Sequence, residues 1–183
     1  MSSIVISGDT SGTLTLAAPA VSGTNTATLP AATGTVMVSG NMPAFSAYVN
    51  SAVSITNSVY TKITFQAEEF DTASAYDNVT NYRFQPLVAG YYQINSSIYW
   101  GNGSSLTSVR STIYKNGSIY KIGAVTPNST IMDITTLVNC VVYLNGSTDY
   151  VEIYGFQNSG GTLTTQGTTS AYSWFNGSMV RSA

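Results

Sequence analysis

From Pro43 onward, single apolar residues alternate with single polar ones, and that period of two narrows the available folds more than any other feature of the sequence. Val59, Thr61, Ile63 and Phe65 alternate with Tyr60, Lys62, Thr64 and Gln66, the pattern of a strand with one face in a core. Tyr92, Ile94, Ile98 and Trp100 share one face of the strand that follows Gly90. Ile113-Tyr114-Lys115, then Asn116-Gly117, then Ser118-Ile119-Tyr120 reads as a hairpin, because Asn-Gly accepts the positive φ angles of a type I′ turn. Two further strands, Ile134 to Leu144 and Tyr150 to Phe156, flank Asn145-Gly146, and a last one runs over Ser173 to Arg181. No segment carries a helical period. The spacing of strands and turns is that of a sandwich or barrel, and 183 residues suffice for one such domain with a short appendage.

The first forty residues supply the appendage. Ser11-Gly12-Thr13-Leu14-Thr15 and Ser22-Gly23-Thr24-Asn25-Thr26 open stretches that end in Pro19-Ala20 and Pro30-Ala31, and Thr33-Gly34-Thr35 begins a partial third copy. Glycine therefore recurs every eleven residues, at 12, 23 and 34, each time followed by a Thr-rich extended segment. Each full copy closes on a proline, which has no amide to give to a ladder. Short strands separated by turns are expected. Asp9 is the only charged residue before Lys62, and large apolar side chains are too few to bury a core alone, so the arm is expected to lean on sister chains. The division is thus a repetitive β arm over residues 1–42 and a head over residues 43–183.

Charge is scarce: 8% of residues are charged, six Lys plus Arg against eight Asp plus Glu, for a net of −2. No positive field exists to hold phosphates, which argues against nucleic acid, or to hold an anionic membrane surface. No window approaches the ~20 apolar residues of a membrane span, and the first ten residues lack the features of a secretion signal, so synthesis in a host cytoplasm is expected. Cys140, the only cysteine, lies in the apolar run from Leu137 to Leu144 and reads as a core residue. The four Asn-Gly-Ser triplets, at 102, 116, 145 and 176, read as turns and bulges rather than glycosylation sites.

Several of these segments match a known pattern in order and spacing. Ala44-Phe45-Ser46-Ala47 looks like an opening strand. Tyr82-Arg83-Phe84-Gln85-Pro86 followed by Gly90-Tyr91-Tyr92-Gln93-Ile94 looks like a central Phe and Gly-x-Tyr-x-Phe signature, with Ile94 standing where Phe is usual. Ile113 to Gly117 looks like a mid-domain hairpin, Leu144 through Asp149 and Val151 like a penultimate strand pair, and Phe175-Asn176-Gly177-Ser178-Met179 like a closing strand. Together they resemble the C1q and tumour-necrosis-factor-like jelly roll over roughly three quarters of the chain, which implies an antiparallel β-sandwich. The arm is similar to segments that open many phage tail-fibre and virion proteins, and differs from collagen, which needs glycine at every third position. The two resemblances imply a homotrimer, its heads around a three-fold axis and its arms attached to other virion proteins of the capsid or tail. Rings on both faces of one strand, as in Tyr91/Tyr92 and Tyr99/Trp100, support a subunit interface independently, because a sandwich covers only one face of each sheet.

Histidine is absent, which removes the commonest general base and the commonest transition-metal ligand. An enzyme is therefore not expected. Glu68, Glu69, Asp71 and Asp77 cluster between two strands and are the candidate oxygen ligands for Ca2+, although they lack the spacing of an EF-hand loop. Tyr91, Tyr99, Trp100, Tyr172 and Trp174 are the candidates for ligand stacking on a host surface glycan or for interface packing. The leading functional expectation is a trimeric structural protein on the exterior of a tailed bacteriophage virion, its head a fibre tip or receptor-binding module. The alternative is a capsid decoration protein that cements the shell.

Overall fold

The computed structural model describes residues 3–21, 23–28, 31, 33–34, 36–101, 106–123, 126–129, 134–165 and 167–183. The chain divides into two compact units, residues 1–34 and residues 35–183. Residues 35–42 thus go with the larger unit, where Met37 packs against the core.

The smaller unit is a ribbon of β1 (Ser3–Ser7) and β2 (Thr13–Ala17), antiparallel with Ile4 opposite Leu16 and Ile6 opposite Leu14. The Gly8 amide closes the connection onto the Gly12 carbonyl at 3.0 Å. Ile4, Val5, Ile6, Leu14 and Leu16 are each at least half exposed, so both faces of the ribbon are bare. The first copy of the repeat forms the expected strand. The second does not: residues 24–28 carry no strand, because an extended segment becomes one only by pairing and they have no partner strand among the described residues. Ser22, Pro30 and Thr35 of the repeat lie outside the described residues.

The larger unit runs β3 (Ala44–Tyr48), β4 (Ser54–Ile55), β5 (Thr61–Lys62), β6 (Ala67–Asp71), β7 (Tyr76–Asp77), β8 (Arg83–Phe84), β9 (Gly90–Gly101), β10 (Leu106–Lys115), β11 (Ser118–Ile122), β12 (Thr126–Ser129), β13 (Ile134–Leu144), β14 (Val151–Gln157), β15 (Leu163–Thr165) and β16 (Trp174–Ser182). These form two seven-stranded sheets with antiparallel pairing throughout. In the first sheet β9 is the spine, with β13 along one edge and β16 and β15 along the other; β3 and β6 continue beyond β16, and β4 beyond β15. In the second, β14 is central, with β10 on one edge, carrying β11 and β12, and β5 and β8 on the other, with β7 beyond β8.

The core fills the space between the sheets. On β13, Ile134, Thr136, Val138, Val142 and Leu144 are buried while the residues between them are exposed, apart from half-buried Cys140 on the inward side. Phe45 of the first sheet stacks on Phe84 of the second with ring centroids 4.3 Å apart and meets the edge of Phe175 at 4.8 Å. Such ring pairs add to area burial when they pack offset or edge to face. The turn at Asn116-Gly117 has φ of 52° and 76°, the left-handed values that the sequence anticipates for a two-residue hairpin. One expectation needs correction. Val59 is 49% exposed and precedes the strand, which shrinks to Thr61–Lys62, while Ile63 and Phe65 are wholly buried as anticipated. Asn176-Gly177 lies inside β16, as the strand expected over Ser173 to Arg181 places it, paired to both β9 and β3, and a Cβ at Gly177 would meet Ile94 Cδ1 at 2.7 Å. That close approach, rather than chain reversal, is why the residue has no side chain. The triplet at Asn102 lies outside the described residues.

Candidate functional site

The strands of the first sheet turn a broad face away from the core, uncharged along β13 and β9 and carrying Arg181 on β16 and Glu69 on β6 toward its far side. Alternation places Tyr91, Gln93, Asn95 and Tyr99 of β9 on that face, with Leu137, Asn139, Val141 and Tyr143 of β13 on one side and Trp174 and Asn176 of β16 on the other. Tyr91 and Tyr143 sit cross-strand with centroids 5.5 Å apart, and Tyr99 lies 5.0 Å from Tyr172 just before β16. Leu137, Val141, Tyr143, Tyr91 and Tyr172 are between 41% and 53% exposed, a density of apolar surface that water does not favour.

A polar row crosses the middle of this face. Asn139, Asn95, Asn176 and Ser46 are in register across β13, β9, β16 and β3. Asn95 donates through Nδ2 to Asn176 Oδ1 at 3.1 Å, Gln93 Nε2 donates to Asn95 Oδ1 at 3.0 Å, and Ser46 Oγ donates to Glu69 Oε2 at 2.8 Å. A depression of about 250 Å³ opens on the row between Leu137 and Trp174.

Of the five aromatic candidates, the structure brings Tyr91, Tyr99, Tyr172 and Trp174 to the outward side of the first sheet. Trp100 is a correction. It is wholly buried and donates its indole N–H to Thr136 Oγ1 at 2.8 Å, so it packs the core and offers no ring to a ligand. Neighbours in a strand point to opposite faces, and this parity separates Trp100 from Tyr99 in the sequence itself. Leu137, Val141 and Tyr143 were missed, although the same alternation along β13 marks them as outward. A second aromatic cluster, on the outward face of the other sheet, was also missed, because it comes from strands far apart in the chain.

The four carboxylates are not gathered into one ligand set. Asp77 accepts the amides of Val79 and Thr80 on Oδ1 and those of Asn81 on Oδ2, and these hydrogen bonds hold its carboxyl down at about 2. Asp71 accepts the Ala73 and Tyr76 amides. Glu69 accepts from Ser46, and Glu68 is pushed up by partial burial and by the Asp71 charge. Among the described residues no three acidic side chains converge on a point where an ion would sit. The oxygens of Asp71 and Asp77 are spent on capping their own turns, and Glu69 is held across the sheet by Ser46.

Comparison with known proteins agrees with this architecture. The globular domain of zebrafish complement 1qA protein superposes with a TM-score of 0.54 at 17% identity, covering 77% of this chain and 98% of that one. The head folds as a C1q/TNF-like jelly roll. The Eiger TNF from S. frugiperda matches with a TM-score of 0.58 at 9% identity, covering 78% of this chain and 93% of its own, and murine APRIL with 0.58 at 7%, covering 76% and 99%. No family model and no curated protein sequence matches the chain. At such identities the jelly roll alone is shared, and the function has to come from the surfaces that this sequence builds on it.

Proposed function

We propose that this protein is a non-enzymatic, trimeric structural protein on the exterior of a tailed-phage virion, with the jelly-roll head as a receptor-binding module and the N-terminal arm as its attachment to other virion proteins. The observation that carries the trimer is the outward face of β13 and β9. It presents Tyr91, Leu137, Val141 and Tyr143 at 41% or more exposure, and its outward residues from Thr135 to Tyr143 on β13 and from Tyr91 to Tyr99 on β9 include no charge. Cyclic symmetry brings copies of one face close to a common axis, where like charges would repel and an uncharged apolar face suits itself. The arm supports the virion setting: its eleven-residue repeat resembles virion-protein openings, and its ribbon leaves apolar residues bare on both faces. Three heads on one tip would turn weak receptor contacts into avidity.

Capsid decoration is the second reading, favoured by a ribbon whose bare apolar residues suit lying against shell subunits. Antibody labelling of intact particles separates the two. Label confined to the tail or its fibres supports attachment, label over the whole shell supports decoration, and a sedimentation experiment that finds only monomer at micromolar concentration removes the trimer.

A further inference from the structure

We propose that the outward face of the second sheet binds a carboxylate-bearing sugar at Arg110. The proposal deepens the attachment reading and rests on it, since a surface glycan is the ligand that a receptor-binding head meets.

On β10 and β14, Arg110 stands opposite Phe156, Thr112 opposite Tyr154 and Tyr114 opposite Glu152, all on the side away from the core. The rings form a continuous floor. Tyr114 stacks on Tyr154 with centroids 3.9 Å apart, and Tyr60, which precedes β5, lies 4.9 Å from Phe156 and 5.9 Å from Tyr114. The guanidinium carbon of Arg110 sits 4.3 Å from the Phe156 centroid and 5.9 Å from that of Tyr60, so the cation is held against the rings.

Two orphaned polar atoms mark this spot. Arg110 Nε and Thr112 Oγ1 are buried without a hydrogen-bond partner, and Thr112 is wholly buried. Only Asn158 Oδ1 shares that condition among the described residues. Leaving such a group unmet is unfavourable, and an acceptor bound at the Arg110 guanidinium would relieve it there.

Charge points to an anion. Lys62 is neutralised by Glu152, and Lys115 by Asp149 at 2.9 Å; Arg110, like Arg83, Lys121 and Arg181, makes no ion pair among the described residues, and of these four it is the one seated against the Tyr60 and Phe156 rings. Glu152, the carboxylate on this face, is thus already matched. A guanidinium binds a carboxylate through two parallel N–H donors, and half-buried rings beside it suit the apolar C–H face of a pyranose. A single arginine beside these rings is too little for a polyphosphate backbone, which needs a run of cations. A hexuronic acid and a sialic acid both supply the required pairing of sugar face and carboxylate.

The test titrates full-length protein with glucuronate, N-acetylneuraminate and neutral glucose, reading saturation transfer and shifts of the tyrosine ring protons by NMR. The expected result is binding of at least one acid and at least tenfold weaker binding of glucose. Arg110→Gln should weaken the acid at least tenfold with the thermal midpoint retained, Tyr60→Ala should weaken it severalfold, and Arg181→Gln, on β16 of the other sheet, should leave it unchanged. Absence of binding by both acids, or equal binding by wild type and Arg110→Gln, overturns the proposal. Label over the whole shell in the particle imaging would end the attachment reading while leaving a measured sugar affinity intact, so the two failures are distinguishable.

Discussion

At Gly177 a methyl group would lie 2.7 Å from Ile94 Cδ1 and 3.0 Å from both the Gln93 carbonyl and the Phe45 ring. Gly177→Ala is therefore expected to cost about 1–3 kcal/mol, the usual penalty of overpacking, read as a lower urea midpoint with unchanged slope. Asp77 gives a pH signature. Its folded carboxyl titrates at about 2, held down by the turn amides, below the ordinary value of about 3.9. A group depressed in the folded state stabilises above its unfolded pKa and loses that contribution as pH falls through its folded pKa, so the window runs from about pH 5 to about pH 2. Thermal scans should show the midpoint falling across that window, with a shallower slope in Asp77→Asn. Cys140 is half-buried on the inward side of β13, and burial pushes its thiol up. The thiolate is the reactive form, so at pH 8 labelling of the folded protein should be much slower than of the urea-unfolded chain; equal rates would place the thiol in solvent.

Strand parity governs what a substitution does to an element. Val141 and Val142 are neighbours on β13, the first 49% exposed on the outward face and the second 1% exposed in the core. Val142→Asp should unfold the head, because a lone carboxylate is put among apolar side chains. Val141→Asp should leave the circular dichroism of the head intact and shift sedimentation from trimer to monomer. This parity was legible in the sequence: it put Tyr92, Ile94, Ile98 and Trp100 on one face, all four buried in the structure, although Trp100 was also a candidate for ligand stacking, and it anticipated the full extent of β13. The Asn116-Gly117 hairpin was legible for a similar local reason, since two left-handed residues leave few alternatives. The Arg110 cluster was not, because it depends on β5, β10 and β14 lying side by side, and no local pattern states which strands are neighbours. The acidic segment misled in the opposite sense: closeness in sequence suggested shared ligation, while each aspartate was already engaged by amides a few residues away.

For the molecule as a whole, an uncharged apolar face on the head and a bare ribbon in the arm predict stability that depends on assembly. If copies associate through the first sheet, the thermal midpoint should rise with protein concentration, as mass action requires of any folded state stabilised by its partners; a midpoint independent of concentration over two decades would contradict this. The strand order has another consequence, in time rather than in space. β16 is the last strand of the head in chain order, yet it sits inside the first sheet with β9 on one side and β3 on the other. While residues 174–182 are still inside the ribosome, β3 and β9 wait with facing edges open, so neither sheet can finish closing over the aromatic core. A nascent head is thus exposed to stray strand pairing until residue 182 has emerged, and ribosome-bound chains stalled before that point should be cleaved faster by protease than chains stalled well beyond it.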